Sequence, residues 1–134
     1  MGELARIGVA IDEDLLKKFD ALNERRGYTN RSEAFRDLIR DALVQDKAAA
    51  PEAEVVGTLT LVYDHHVRQL QERLTHMQHE HHTEIISTLH VHLDHHHCLE
   101  VLVLRGRSAR VRQIADRLIA TRGVQHGRLT LTSP

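Results

Sequence analysis

Residues 85–104 read Ile85-Ile86-Ser87-Thr88-Leu89-His90-Val91-His92-Leu93-Asp94-His95-His96-His97-Cys98-Leu99-Glu100-Val101-Leu102-Val103-Leu104. Apolar and β-branched residues fill both flanks, and Asp94–His97 breaks them with a polar turn. That pattern predicts a hairpin of strands Ile85–Leu93 and Cys98–Leu104, closed by Arg105-Gly106. Upstream, Val67, Leu70, Leu74 and Met77 recur at three- and four-residue spacings, predicting a helix from His65 to about His82. Val55–Tyr63 before it reads as a strand. Downstream, Ser108 caps a helix built on Val111, Ile114, Ala115, Leu118 and Ile119 and ended by Gly123, and Gly127–Thr132 gives a last strand. The order βαββαβ over residues 55–134 is that of a ferredoxin-like domain.

The first 47 residues follow a different plan. Ile7, Val9 and Ile11 alternate with Arg6, Gly8 and Ala10, the period-two signature of a strand over Leu4–Ile11. Asp12 offers an N-cap to a helix through Leu15, Leu16, Phe19 and Leu22 that Gly27 ends. Asn30 and Glu33 resemble a capping pair for a second helix carrying Phe35, Leu38, Ile39, Ala42 and Leu43. Residues 48–54, within the Pro51-containing stretch Gln45–Glu54, read as a linker. A strand–helix–helix unit this small cannot bury enough apolar surface alone, and its single strand has no ladder partner. Both problems vanish if two chains pair their strands antiparallel around a shared core of Ile7, Val9, Leu16, Phe19 and Leu38. The outer face of the ribbon, with Arg6, Gly8 and Ala10, then fits a DNA major groove, and its two-fold symmetry suits a palindromic operator. The start of the second helix at Asn30, Arg31 and Ser32 is suited to a phosphate.

Composition narrows the function classes. Formal net charge is −1, so DNA binding is argued from architecture and not from a basic balance. No apolar run approaches the roughly 18 residues that span a bilayer, and no leader pattern is apparent, so the expected setting is the cytoplasm without a membrane partner. Cys98 is the single cysteine, free to act as a metal ligand in a reducing compartment.

Eleven of the twelve histidines fall between His65 and His97. On a strand His90 and His92 share a face about 6.6 Å apart, and Cys98 folds back beside His92 across the turn. Imidazoles with a thiolate suit nickel, copper and zinc. A fourth ligand is expected near the helix end at His79, His81 and His82. Within one chain His79 falls level with about residue 86, on the order of 13 Å short of His90. A neighbouring subunit can supply it without that constraint. Gln78 and Glu100 are candidates for orienting the ligands. The plain alternatives are half-exposed polar positions for the histidines and a small buried hydrophobe for Cys98. The spacing that brings three ligands together outweighs them.

The segment Arg6–Leu16 with Arg25-Arg26-Gly27-Tyr28-Thr29-Asn30-Arg31-Ser32-Glu33-Ala34 resembles a ribbon-helix-helix repressor. Together with His90-Val91-His92 and Cys98 six residues on, it resembles the NikR family of nickel-responsive transcriptional regulators over nearly the whole chain. The resemblance implies an α+β chain with an ACT-like ferredoxin-like domain that forms a tetramer, a dimer of dimers. It implies one square-planar Ni(II) per subunit, held by His90, His92 and Cys98 of one subunit and His79 of another. It also implies a metal-dependent repressor of nickel uptake, and a second cation site at Glu33 and Asp37, a pair that otherwise reads as a solvated face relieved by Arg36 and Arg40. No small-molecule substrate is expected. The ribbon departs from the family at Gly8 and Ala10, which lack hydroxyls, leaving Arg6 as the one strong base-edge donor. Three other functions compete: metal storage or delivery without DNA binding, sensing of copper or zinc, and an enzyme with Cys98 as nucleophile. The last lacks a catalytic carboxylate signature.

Overall fold

The computed structural model describes residues 2–133. The chain divides into two compact units, Met1–Asp41 and Ala42–Pro134.

The first unit contains helix α1 (Glu13–Arg26) and the start of α2 (Arg31–Ala49). The Asp12 carboxylate accepts from the Leu15 N–H, satisfying one of the free donors at the start of α1. Gly27 ends the helix at φ 81°, a left-handed conformation that favours glycine. Asn30 Oδ1 accepts from the Glu33 N–H at 2.9 Å, so the expected cap on α2 forms. Phe19 and Phe35 meet at 5.0 Å between ring centroids and join the two helices. Around that contact much apolar surface stays open: Leu38 is 49% and Ile39 53% exposed. Residues 2–12 have no regular secondary structure, and Ile7 and Val9 lie exposed. The strand expected over Leu4–Ile11 is therefore absent from the single chain. A strand exists only as part of a ladder, and this chain supplies no partner for it.

In the second unit β1 (Glu54–Asp64), α3 (Leu70–Glu80), β2 (Ile85–His92), β3 (His97–Arg107), α4 (Ser108–Ile119) and β4 (Val124–Thr132) follow in the expected βαββαβ order. The sheet is antiparallel in the order β2-β3-β1-β4. Alternate residues of β1 (Val55, Leu59, Leu61, Tyr63) and β3 (Cys98, Leu102, Leu104) are buried with Leu70 and Leu74 of α3. Helix α4 adds Val111, Ile114, Ala115 and Leu118, an i, i+3, i+4, i+7 stripe that is fully buried. Each large side chain in that stripe contributes about 1.5–3 kcal/mol. Gly127 lets α4 pack closely on β4, because a Cβ there would lie 2.5 Å from Ile119 Cγ1.

Several boundaries differ from expectation. Strand β3 continues through Arg105 and Gly106, the expected closing turn, to Arg107, because both pair with β1 at Val56 and Val55. The N-cap of α4 is Arg107 and not Ser108, whose hydroxyl is turned to the Ala48 carbonyl. Helix α3 begins at Leu70 and not at His65. Asp64 accepts from the His66 N–H through its side chain and from the Val67 N–H through its carbonyl, winding residues 64–67 into a turn. Gln69, at φ 63°, then blocks continuation into the helix. Helix α2 runs to Ala49, into the stretch read as linker, where Ala48 is buried and its carbonyl accepts from Ser108 Oγ. Strand β4 starts at Val124, three residues before the expected Gly127, extending its pairing with β1 to Tyr63↔Val124. Among the described residues no helix is long and apolar enough to cross a membrane.

Candidate metal centre

The ladder between β2 and β3 pairs His92 with Cys98 and His90 with Glu100. Residues directly opposite in an antiparallel pair put their side chains on one face, about 4.5–5.5 Å apart at Cβ. Two imidazoles, a thiol and a carboxyl therefore occupy adjacent positions on the helix-bearing face. Their burial is graded. Cys98 is 2% and Glu100 1% exposed, whereas the side chain of His90 is 35% exposed. Strand β2 is the sheet edge and is almost wholly open. The sulfur thus sits in the protein interior while the imidazoles, on the same face, lie exposed at the sheet edge.

Glu100 organises this face. Its carboxyl accepts from Tyr63 Oη at 2.9 Å, from Gln78 Nε2 and from Thr88 Oγ1 at 3.2 Å, and lies 3.6 Å from His90 Nε2. Burial and the adjacent Glu100 hold the Tyr63 phenol far above its ordinary range, so it stays a proton donor. Gln78 and Glu100, the expected orienting residues, are thus brought together. Tyr63 and Thr88 join them unforeseen. Thr88 was within reach of the sequence reading, since it lies two residues before His90 on the same face. Tyr63 depends on β1 pairing with β3, which puts it opposite Cys98.

The hairpin tip is held separately. Asp94 accepts from His97 Nδ1 and from the N–H groups of His96 and His97, and these bonds keep its carboxyl well below the usual range. His79, in the last turn of α3, is exposed and borders an open cleft with Gln71, Glu72, Thr75 and His76. Among the described residues, no three of His79, His90, His92 and Cys98 bring ligand atoms within 4.8 Å of one another. The donor set still fits a late first-row metal: two neutral-capable imidazoles lie beside a buried thiol, and a hydrogen-bonded carboxyl lies within ion-pair distance of one of the imidazoles.

On the N-terminal side, Arg6, Gly8 and Ala10 are exposed and lie outside any strand. At the start of α2, Arg31 makes a two-pronged pair with Asp20 at 2.8 and 2.9 Å, Asn30 is occupied as a cap, and Ser32 is exposed. Among the described residues, Glu33 and Asp37 do not converge with a third ligand. Glu33 pairs with Arg36 at 3.8 Å, while Asp37 pairs with Arg40 at 3.1 Å and accepts from Tyr28 Oη at 2.6 Å.

Comparison with known proteins bears on both halves. Residues 56–132 match the sequence model of the NikR C terminal nickel binding domain, and residues 5–46 match that of the ribbon-helix-helix protein, copG family. The chain is 69% identical to a protein of Solibacter usitatus (strain Ellin6076) named as a nickel-responsive regulator, over 99% of this chain and 96% of that one. Proteins of the same name from Geobacter sulfurreducens (strain ATCC 51573 / DSM 12127 / PCA) and Trichlorobacter lovleyi (strain ATCC BAA-1151 / DSM 17278 / SZ) are 60% and 59% identical over the same shares. With a metal-binding domain and a DNA-binding domain matched end to end, the chain belongs to the NikR family of nickel-responsive, DNA-binding transcriptional regulators, a family of regulators and not of enzymes.

Proposed function

We propose that this protein represses nickel uptake in the cytoplasm, binding a palindromic operator only when nickel is held between its subunits. His90, His92 and Cys98 of one subunit and His79 of a neighbour hold one Ni(II) each in a dimer-of-dimers tetramer. Residues 55–134 form the metal-binding and tetramer core, residues 48–54 the connection, and residues 1–47 the DNA-binding dimer. The observation that carries this reading is the register pairing of His92 with Cys98, which leaves the imidazole side of the site at an open sheet edge. A ligand from a second chain can approach from there.

Bound nickel supplies a link of fixed angles between subunits. The chain's own residues do the rest. Glu100, held by Tyr63, Gln78 and Thr88, orients His90. Exposed Leu38 and Ile39 and the apolar face of residues 7–11 are covered when two chains pair. The paired segments then enter the major groove, where Arg6 reads a guanine, Gly8 and Ala10 allow close approach, and Asn30, Arg31 and Ser32 meet phosphates. Arg31 must exchange its bond to Asp20 for a phosphate to do so. Glu33 and Asp37 serve as a cation site in the DNA-bound form, a role supported by the family likeness.

An intersubunit site couples occupancy to quaternary geometry, as control requires, because a ligand shifts an equilibrium only by favouring one state. Gel-shift titration of operator DNA with and without Ni(II) tests the reading: tighter binding with nickel is expected, and equal affinity in both conditions refutes it. Copper or zinc in nickel's place would appear in the same assay as equal activation by those ions.

A further inference from the structure

We propose that Asp64, His66 and His96 form a second site for a late first-row divalent cation, distinct from the set around Cys98. Among the described residues, these three alone offer ligand atoms that all lie within 4.8 Å of one another. They come from two separate segments: Asp64 ends β1 and His66 lies in the turn after it, while His96 lies at the tip of the β2–β3 hairpin. The two turns are joined at the backbone, where the His65 N–H donates to the His96 carbonyl at 3.1 Å. Strand pairing brings the same segments together through Asp64↔His97, the last pair of the β1–β3 ladder.

The local geometry is set before any ion arrives. Asp64 Oδ1 accepts from the His66 N–H at 2.8 Å, which leaves its second oxygen available. Asp94 Oδ1 accepts from the His96 N–H at 2.8 Å and fixes the tip. The rings of His66 and His96 stand 5.4 Å apart between centroids at 54°, a tilted pair with room between edges. Both rings are exposed and Asp64 is half-buried, so the imidazoles can rotate while the carboxylate is anchored. Metal–ligand bonds of about 2.0–2.2 Å require an inward movement on the order of 1 Å, within the freedom of exposed side chains. Pre-set turns reduce the ordering cost of binding.

The donors select the class of ion. Calcium takes six to eight oxygen ligands and magnesium mostly water and carboxylate, whereas two imidazoles with one carboxylate suit zinc, nickel, cobalt or copper. Three protein ligands leave positions for water. The ion cross-links the turn after β1 to the hairpin tip within one chain, so this site needs no second subunit.

Equilibrium dialysis of the full chain against Zn(II) alone tests it, comparing wild type, the double variant His66→Gln/His96→Gln and His95→Gln, each also with Cys98→Ala. His95 is the control: it shares the hairpin tip and is exposed, but lies outside the cluster. The double variant is expected to bind one zinc fewer per chain than its parent in both backgrounds, with His95→Gln unchanged. Equal stoichiometry in the double variant and its parent overturns the proposal. So does an equal loss in His95→Gln, which would make the zinc binding a property of clustered surface histidines. Because the comparison is repeated without the thiol, it holds or fails independently of the site around Cys98.

Discussion

His92 lies directly across the β2–β3 ladder from Cys98. The thiol is buried and the imidazole open, so the pair spans the boundary between the interior of the domain and its sheet edge. In the proposed nickel site this sulfur is the one soft ligand. Cys98→Ala should abolish the thiolate-to-nickel charge-transfer band and weaken nickel binding by more than the roughly 10–100-fold that losing an orienting partner costs. Absorption spectra and competition with a chelator measure both. Because thiol and imidazoles release protons on binding, wild-type nickel affinity should rise with pH across the neutral range, and less steeply in the variant.

Glu100 accepts from three side chains and neighbours His90. Glu100→Ala leaves the donors of Tyr63, Gln78 and Thr88 without their partner. Each buried donor left unpaired costs about 1–3 kcal/mol, so urea unfolding should show a loss in that range or larger. Nickel affinity should fall about 10–100-fold with the thiolate band retained, since in the proposed site Glu100 positions His90 without being a ligand. Glu100→Gln keeps the shape and should lose less on both counts.

The Tyr63 phenol is held above its ordinary range by burial and by Glu100. A raised value in the folded state means that the native protein keeps a proton the unfolded chain gives up. The corresponding stability is fully present below about pH 10, the unfolded value, and is lost as pH rises beyond it. Wild type should therefore lose its stability advantage over Tyr63→Phe as pH is raised from 9 towards about 11.5, a trend that urea unfolding at each pH would show. A constant difference across that range would assign the phenol no part in alkaline stability.

Gly127 and Gly8 should respond differently to alanine. A Cβ at Gly127 meets Ile119 at 2.5 Å, whereas at Gly8 nothing lies within 4 Å. Gly127→Ala should cost about 1–3 kcal/mol through overpacking beneath α4. Gly8→Ala should leave stability within about 0.5 kcal/mol and, if residues 6–10 face DNA, change operator affinity. Thermal unfolding and gel-shift assays separate the two effects.

The parts of the fold that were legible in the sequence were those whose signals are local. The α4 stripe, the Asp12 and Asn30 caps and the Asp94–His97 turn each depend on residues within one or two turns of chain. The start of α3 was misread because Val67 falls on the helical period, yet Asp64 and the left-handed Gln69 hold it in a turn and leave it 41% exposed. The segment Leu4–Ile11 has the right alternation, but a strand needs a ladder and a single chain offers it no partner. In the candidate site, His90, His92 and Cys98 were visible from spacing, while Tyr63 was hidden because its place opposite Cys98 follows from sheet order. The Asp64–His66–His96 cluster was hidden for the same reason: it joins two turns about thirty residues apart in sequence.

Subunit complementation reaches the central point most directly. His79→Ala and Cys98→Ala chains would be prepared separately, then mixed, partly unfolded and reassembled, and the nickel charge-transfer band and operator binding followed. Each variant alone should lack the full site. Mixed tetramers should regain part of the band and nickel-dependent DNA binding, because one chain then provides His79 and its neighbour His90, His92 and Cys98. No recovery in mixtures shown to contain both chains would contradict a metal shared between subunits.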